Sequence, residues 1–118
     1  MAMMAITCNG SAPVNVFPVF ILATSAVASG DDVVLFFTPG GAPSLVKGEM
    51  EKIQDSKGLP NLIELYNGVL ELGAKIYACE LALDAKDIKK EDFREGIEII
   101  GATTFINEIK DATITFSF

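Results

Sequence analysis

The sequence contains no histidine. Ser-His-Asp and Cys-His arrangements, most zinc sites and the usual general base near neutral pH are therefore excluded. Lys and Arg are few, nine against sixteen Asp and Glu, and they form no cluster. With a formal net charge of −7, direct binding to nucleic acid or to an anionic membrane is not expected. Cysteine is scarce too: Cys8 and Cys79 stand 71 positions apart. Two thiols so spaced are not a disulfide framework, and a reducing cytoplasm is the simpler setting. Neither G-x-x-x-x-G-K-[ST] nor G-x-G-x-x-G occurs, so no nucleotide-binding motif is present. No internal repeat and no low-complexity stretch is found.

What is present reads as one domain over residues 1–118, half of it apolar and 21% charged. A chain of this size hides roughly 65% of its unfolded surface, enough for a core of its own. Val14 to Ala28 is nearly all apolar, and Ala26-Val27-Ala28 resembles a signal-cleavage site. No Lys or Arg precedes it, Asn15 and Pro18 interrupt it, and it is too short to span a bilayer. A buried helix, partly in the core and partly in a subunit interface, accounts for it better.

The chain alternates strand and helix patterns. Met3 to Cys8 is an apolar run ended by Asn9-Gly10-Ser11-Ala12-Pro13, as for a strand buried on both faces. A helix is expected from about Asn15 to Ser29, with Pro18 in its first turn and Gly30 as its stop. Val33 to Phe37 is the clearest strand, followed by the loop Thr38-Pro39-Gly40-Gly41-Ala42-Pro43. A weak helix is expected over Ser44 to Gln54, interrupted by Gly48, then a linker Asp55-Ser56-Lys57-Gly58. Pro60 is expected in the first turn of the next helix. That helix carries Leu62, Leu65, Tyr66, Val69 and Leu70 at helical spacing and ends at Gly73. Ile76 to Ala78 is a third strand, leading through Cys79 into a helix of about two turns. A polar turn at Ile88 to Phe93 opens a second short helix. Ile97 to Ile100 is a fourth strand, and Ala102, Phe105, Ile106 and Ile109 stripe a last helix. Thr113 to Phe118 alternates like an edge strand. Strands joined by helical crossovers predict a three-layer α/β/α fold, flavodoxin/Rossmann-like, with a mostly parallel sheet of about five strands.

Cys79 is the candidate chemical residue. It stands at a strand-to-helix joint, where ligands of open α/β sheets bind and helix N–H groups favour thiolate. A buried cysteine acting as a small hydrophobe would look the same in sequence. Glu80 and Asp84 oppose thiolate, and Lys47 is the candidate cation to offset them. Asn9, Gly10 and Ser11, with Thr38, Gly40 and Gly41, are expected at the same sheet edge. Asn9-Gly10-Ser11 could present N–H groups to an anion such as thiosulfate, whereas a plain turn is the simpler reading of Thr38 to Gly41. In a 2-1-3 strand order Cys8 would approach Cys79, as a resolving thiol or second sulfur site; buried filler is the blander reading. The acidic stretch Asp84 to Glu95 is a solvated face, or a docking surface for a basic partner.

The run Leu72-Gly73-Ala74-Lys75-Ile76-Tyr77-Ala78-Cys79-Glu80-Leu81-Ala82-Leu83-Asp84, then Ile88-Lys89-Lys90-Glu91-Asp92-Phe93, resembles the DsrE/DsrF-like family. The similarity continues through Gly96 to Ala102 and, upstream, through Ala23 to Ala28 and Val33 to Thr38; Gly40 to Gly58 matches least. The resemblance implies a sulfur carrier or sulfurtransferase subunit, with Cys79 matching the cysteine that takes sulfane sulfur as a persulfide. It also implies sulfur-donor and sulfur-acceptor partner proteins, assembly as a trimer or hexamer, and no metal or organic cofactor. The rival readings are a thiol redox (peroxiredoxin-like) enzyme using Cys79 and perhaps Cys8, and a non-catalytic oligomer subunit.

Overall fold

The computed structural model describes residues 1–53 and 57–118. Five strands, β1 (Met3–Cys8), β2 (Asp32–Phe37), β3 (Lys75–Cys79), β4 (Ile97–Ile100) and β5 (Ile114–Ser117), form one sheet in the order β4-β3-β2-β1-β5. Every pairing is parallel. The expected α/β/α class is thus observed, with a different strand order. β1 lies between β2 and β5, and β2 separates it from β3. The first three crossovers step the sheet one way, and the last returns across it to set β5 beside β1.

The first helix, α1 (Pro13–Ala28), is longer than expected at its start, with Pro13 in the first turn. Pro18 therefore lies inside the helix, where it has no N–H to give the preceding turn. With no charged residue over its length, α1 buries Val16, Phe17, Val19, Phe20, Ala23 and Ala26. Phe20 meets Phe37 of β2 and Tyr66 of α3 (Leu62–Glu71), with ring centroids 5.9 and 5.8 Å apart. The main core lies between these two helices and the face of the sheet carrying Met4, Ile6, Cys8, Val33, Leu35, Phe37, Ile76 and Ala78. At the start of α3 the cap is Asn61, whose side chain accepts from the Glu64 N–H at 3.0 Å. Pro60 precedes the cap and so lies outside the helix.

The helix expected over Ser44 to Gln54 is replaced by two short pieces. A 3-10 turn spans Ala42–Leu45, and α2 spans only Glu49–Lys52. Between them Val46 forms an isolated antiparallel bridge with Phe93, and Gly48 adopts a left-handed φ of +85° that no helix interior tolerates. The described part of that expectation is therefore corrected by a strand-like contact. Gln54, and Asp55 and Ser56 of the expected linker, lie outside the described residues.

The opposite face of the sheet carries Val34, Phe36, Tyr77 and Cys79 beneath one short helix, α5 (Ala102–Glu108). Phe105 is the one buried residue of α5, and it stacks on Phe36 at 4.4 Å and 10°. No helix among the described residues is long and apolar enough to cross a membrane.

Candidate functional site

Cys79 ends β3 and pairs in register with Ile100, the last residue of β4. The chain then leaves these two neighbouring strands toward opposite faces. After β3 it turns into α4 (Leu81–Ala85), whose Ala82 joins the α1/α3 core. After β4 it turns into α5, whose Phe105 joins the Cys79 cluster. This divergence makes the carboxyl ends of β3 and β4 the topological switch point, the place where open α/β sheets take up ligands. Cys79 ends β3 at that point. Its own side chain is 4% exposed.

Several sequence expectations change at this edge. The helix after Cys79 has five residues instead of two turns, and Glu80 is its cap, so the N-terminal field beside the thiol is that of little more than one turn. Similarly, the helix expected after Ile88 is a 3-10 turn over Lys90–Asp92. Cys8 does not approach Cys79. Cys8 is opposite Phe37, Phe37 is opposite Ala78, and two strand spacings amount to about 10 Å. The two side chains also belong to clusters on opposite faces of the sheet. Burial pushes the Cys8 thiol from 9.0 up to about 11, with a backbone hydrogen bond at Gly10 pulling the other way. It is a fully buried thiol whose Sγ donates to the Gly10 carbonyl at 3.3 Å.

Lys47 cannot serve as the cation for Cys79. Its ammonium donates to the Glu91 carbonyl at 2.9 Å, in a groove with Tyr66 and Arg94 on the α3 side. Arg94 is itself occupied, lying 5.0 Å over the Tyr66 ring and 3.3 Å from Glu51.

The loops after β1 and β2 do meet, as expected, and they spend their polar groups on each other. Ser11 Oγ donates to the Gly40 carbonyl at 2.8 Å, and Thr38 Oγ1 donates to Asn9 Oδ1 at 3.0 Å. Asn9 Nδ2 in turn donates to Ser117 Oγ at 3.1 Å. Gly40 and Gly41 permit the approach: a Cβ on either would stand 2.3 Å from the carbonyl oxygen of Asn9 or Cys8 respectively. Of these loop residues Thr38 directly follows β2, the strand beside β3, one step past the Phe37–Ala78 pair. Asn9, Gly10, Ser11, Gly40 and Gly41 cluster around the ends of β1 and β2. Among the described residues no group of three His, Cys, Asp or Glu side chains gathers as a metal site.

Nothing in the local sequence singles out Gly101. Its φ of −85° and ψ of 164° suit any residue, so conformation does not require glycine there. Space constrains it only lightly: a Cβ would lie 2.8 Å from Oε1 of Glu80, the end of an exposed, flexible side chain that can swing aside. The Glu80 backbone N–H also donates to the Ile100 carbonyl at 2.9 Å. Glu80 thus spans from β3 to the exit of β4.

A five-stranded parallel α/β domain with a thiol at its switch point defines the class of protein. The chain belongs to the DsrE/DsrF/DrsH-like family, whose family model matches residues 41–116. It is 31% identical over 98 residues to the uncharacterized protein MJ0760 of Methanocaldococcus jannaschii, a match covering 83% of this chain but 35% of that relative. The chain therefore spans about a third of that relative's length. It is also 27% identical over 128 residues to the sulfur carrier protein DsrE2 of Allochromatium vinosum, covering 75% of this chain and 80% of DsrE2. Among solved structures, the ychN protein from E. coli superposes with a TM-score of 0.79 at 20% identity, covering all of both chains. The protein MTH1491 of Methanobacterium thermoautotrophicum gives 0.72 at 13% identity, covering 98% of this chain and 97% of that one. These two likenesses concern the fold.

Proposed function

We propose that this chain, acting as one domain, is a sulfur-relay carrier that holds sulfane sulfur on Cys79 as a persulfide and hands it to a partner protein. The observation that carries the reading is the position of Cys79 at the switch point between β3 and β4. Family membership and the sulfur carrier DsrE2 among the relatives support it. In the first step the Cys79 thiolate attacks the outer sulfur of a donor R–S–SH. A Cys79 S–S bond forms, the donor's S–S bond breaks, and R–S⁻ leaves with the electron pair. In the second, an acceptor thiolate attacks the outer sulfur and the Cys79 thiolate is released. No histidine is needed, because attack of a thiolate on a sulfane sulfur requires no general base.

Cys79 is buried, so transfer requires an opening. The element best suited to give is α5, held by the single buried side chain Phe105. Homo-oligomerisation, as a trimer or hexamer, belongs to the same proposal. A groove of about 600 Å³ on α1 supports it, lined by Val14, Phe17, Pro18, Ile21, Leu22 and Leu59 without a charged group. Both cysteines are free, in keeping with a cytoplasmic setting.

Intact-mass measurement after incubation with an organic persulfide tests the carrier reading. Wild type and Cys8→Ser should gain one sulfur atom, reversibly by reductant, while Cys79→Ser should not. The low exposure of Cys79 favours one rival, a non-catalytic subunit of an oligomer. Failure of native Cys79 to gain sulfur or to alkylate would establish that rival instead. A redox enzyme with Cys8 as resolving thiol is disfavoured by the intervening strand.

A further inference from the structure

We propose that the part of the sheet left bare beside α5 is covered by a second copy of this chain. The two α5 helices would lie side by side about a two-fold axis, forming one layer shared by two sheets. This surface is distinct from the α1 groove, and the pairing does not depend on sulfur carriage.

The vacancy follows from the strand order. All-parallel sheets are ordinarily covered on both faces. On the face away from α1, the described residues supply α5, which packs over β2 and β3 through Phe105. β1 and β5 lie beyond it. Two strands side by side are about 10 Å wide, the diameter of one helix. A groove of about 380 Å³ occupies that place, with Ala5, Thr7, Thr115 and Ser117 as its floor and Ile106 and Ile109 on its wall. The Thr7 and Ser117 hydroxyls bond each other, so the floor is already partly satisfied. Ile106 is 50% exposed, an apolar side chain without cover in the single chain.

Charge points to the occupant. The chain carries a net −7, yet no charged residue occurs in 1–30, 99–107 or 112–118. Those segments hold β1, β5 and all of α5 except Glu108, which is paired with Lys75 at 3.4 Å. Two copies can therefore meet here without setting carboxylate against carboxylate. A basic protein finds no carboxylate in the groove floor, and a nucleic acid finds no cation. The shape matches as well. The outer side of α5 is exposed, uncharged and small, with Ala102, Thr103 and Thr104. A half-turn about a line parallel to the strands, between α5 and the vacancy, sets each α5 over β1 and β5 of the other copy. Ile106 of both copies then comes to the axis. The same patch serves both partners, as a two-fold contact requires.

Sedimentation velocity of the full-length protein, over a range of concentrations, tests the pairing. Wild type should sediment as an assembly with an even number of chains. Ile106→Asp should keep its far-ultraviolet circular dichroism and halve the assembly mass. A second variant covers the case in which the new carboxylate upsets folding. In a Cys8→Ser, Cys79→Ser chain, Ile106→Cys treated with copper-phenanthroline and oxygen should give a disulfide-linked dimer. Glu64→Cys on the exposed side of α3, in the same background, should give none. A wild type that is monomeric at every concentration would overturn the proposal, as would folded Ile106→Asp of unchanged mass. A fall to one third would mean a three-fold contact and also overturn it, and so would cross-linking of Glu64→Cys as readily as Ile106→Cys. A monomer that still gains one sulfur on Cys79 would refute the pairing and leave sulfur carriage standing.

Discussion

Cys8 and Cys79 point away from each other through the sheet, with the Phe37 strand between them. Cys8 is packed under α1, in the cluster of Ile6, Phe20 and Phe37, and Cys79 lies on the other side with Phe36, Tyr77 and Phe105. A disulfide needs Cα atoms within about 7 Å and converging Cβ vectors, and this pair offers neither. Mild oxidation of the purified chain should leave no intramolecular disulfide. Peptide mapping under non-reducing conditions should recover both cysteines in separate peptides, or find Cys79 joined only to another molecule.

Phe105 should control both stability and access to the thiol. It is the single buried anchor of α5 and stacks on Phe36. Phe105→Ala should cost about 3 kcal/mol in unfolding free energy. Under native conditions the same variant should alkylate at Cys79 severalfold faster than wild type, with Cys8 still protected. A large loss of stability with no change in Cys79 alkylation would mean that α5 does not cover the thiol.

Two Gly→Ala changes should act in opposite directions. At Gly41 the new methyl would stand 2.3 Å from the Cys8 carbonyl oxygen, which is backbone and cannot swing aside. Gly41→Ala should lose about 1–3 kcal/mol. Gly68 lies inside α3, and a methyl added there would meet nothing within 4 Å. Gly68→Ala should therefore gain about 0.5–1 kcal/mol from the helix preference alone. Denaturant titration of the two variants decides both signs.

Alkaline pH should destabilise the fold through Cys8 and Tyr66. Burial raises Cys8 from 9.0 to about 11 and Tyr66 from 10.0 to about 12. The folded chain keeps protons that the unfolded chain gives up. Stability is therefore fully present below about pH 9 and falls as pH climbs toward 11 and 12. Cys8→Ala should be less stable at neutral pH, because it leaves a cavity, yet its stability should decline less steeply between pH 9 and 11. A parallel decline in both proteins would show that Cys8 is not buried as a thiol.

Local pattern carried much of the fold into view. The apolar run Met3–Cys8 and the stretch Ile97–Ile100 have the boundaries read from sequence, and Leu62, Tyr66 and Val69 do face the core from α3. The uncharged α1 is packed on the sheet, as its composition required. Errors came where a distant partner overrode local preference. The stretches around Val46 and Phe93 escaped a local helix-and-turn reading because Val46 pairs with Phe93, and the Arg94 N–H donates to the Leu45 carbonyl at 3.0 Å. The proximity of Gly101 to the Glu80 carboxylate, twenty-one positions earlier in the chain, was likewise hidden.

By itself, then, the sequence determined the alternation of strands and helices, hence a parallel α/β fold, and named Cys79 as the thiol at the end of a strand. Those features depend on spacing within a few residues, where period-two and period-3.6 burial and turn chemistry are decisive. The tertiary structure alone decided the order of the strands, the opposite faces of Cys8 and Cys79, and the seat of Glu80 over Gly101. Strand order depends on which apolar strands and helices bury the most surface together, a sum over pairs far apart in the chain. Only that sum brings the ends of β3 and β4 side by side and sends their loops to opposite faces, which makes the end of β3, where Cys79 stands, a topological switch point.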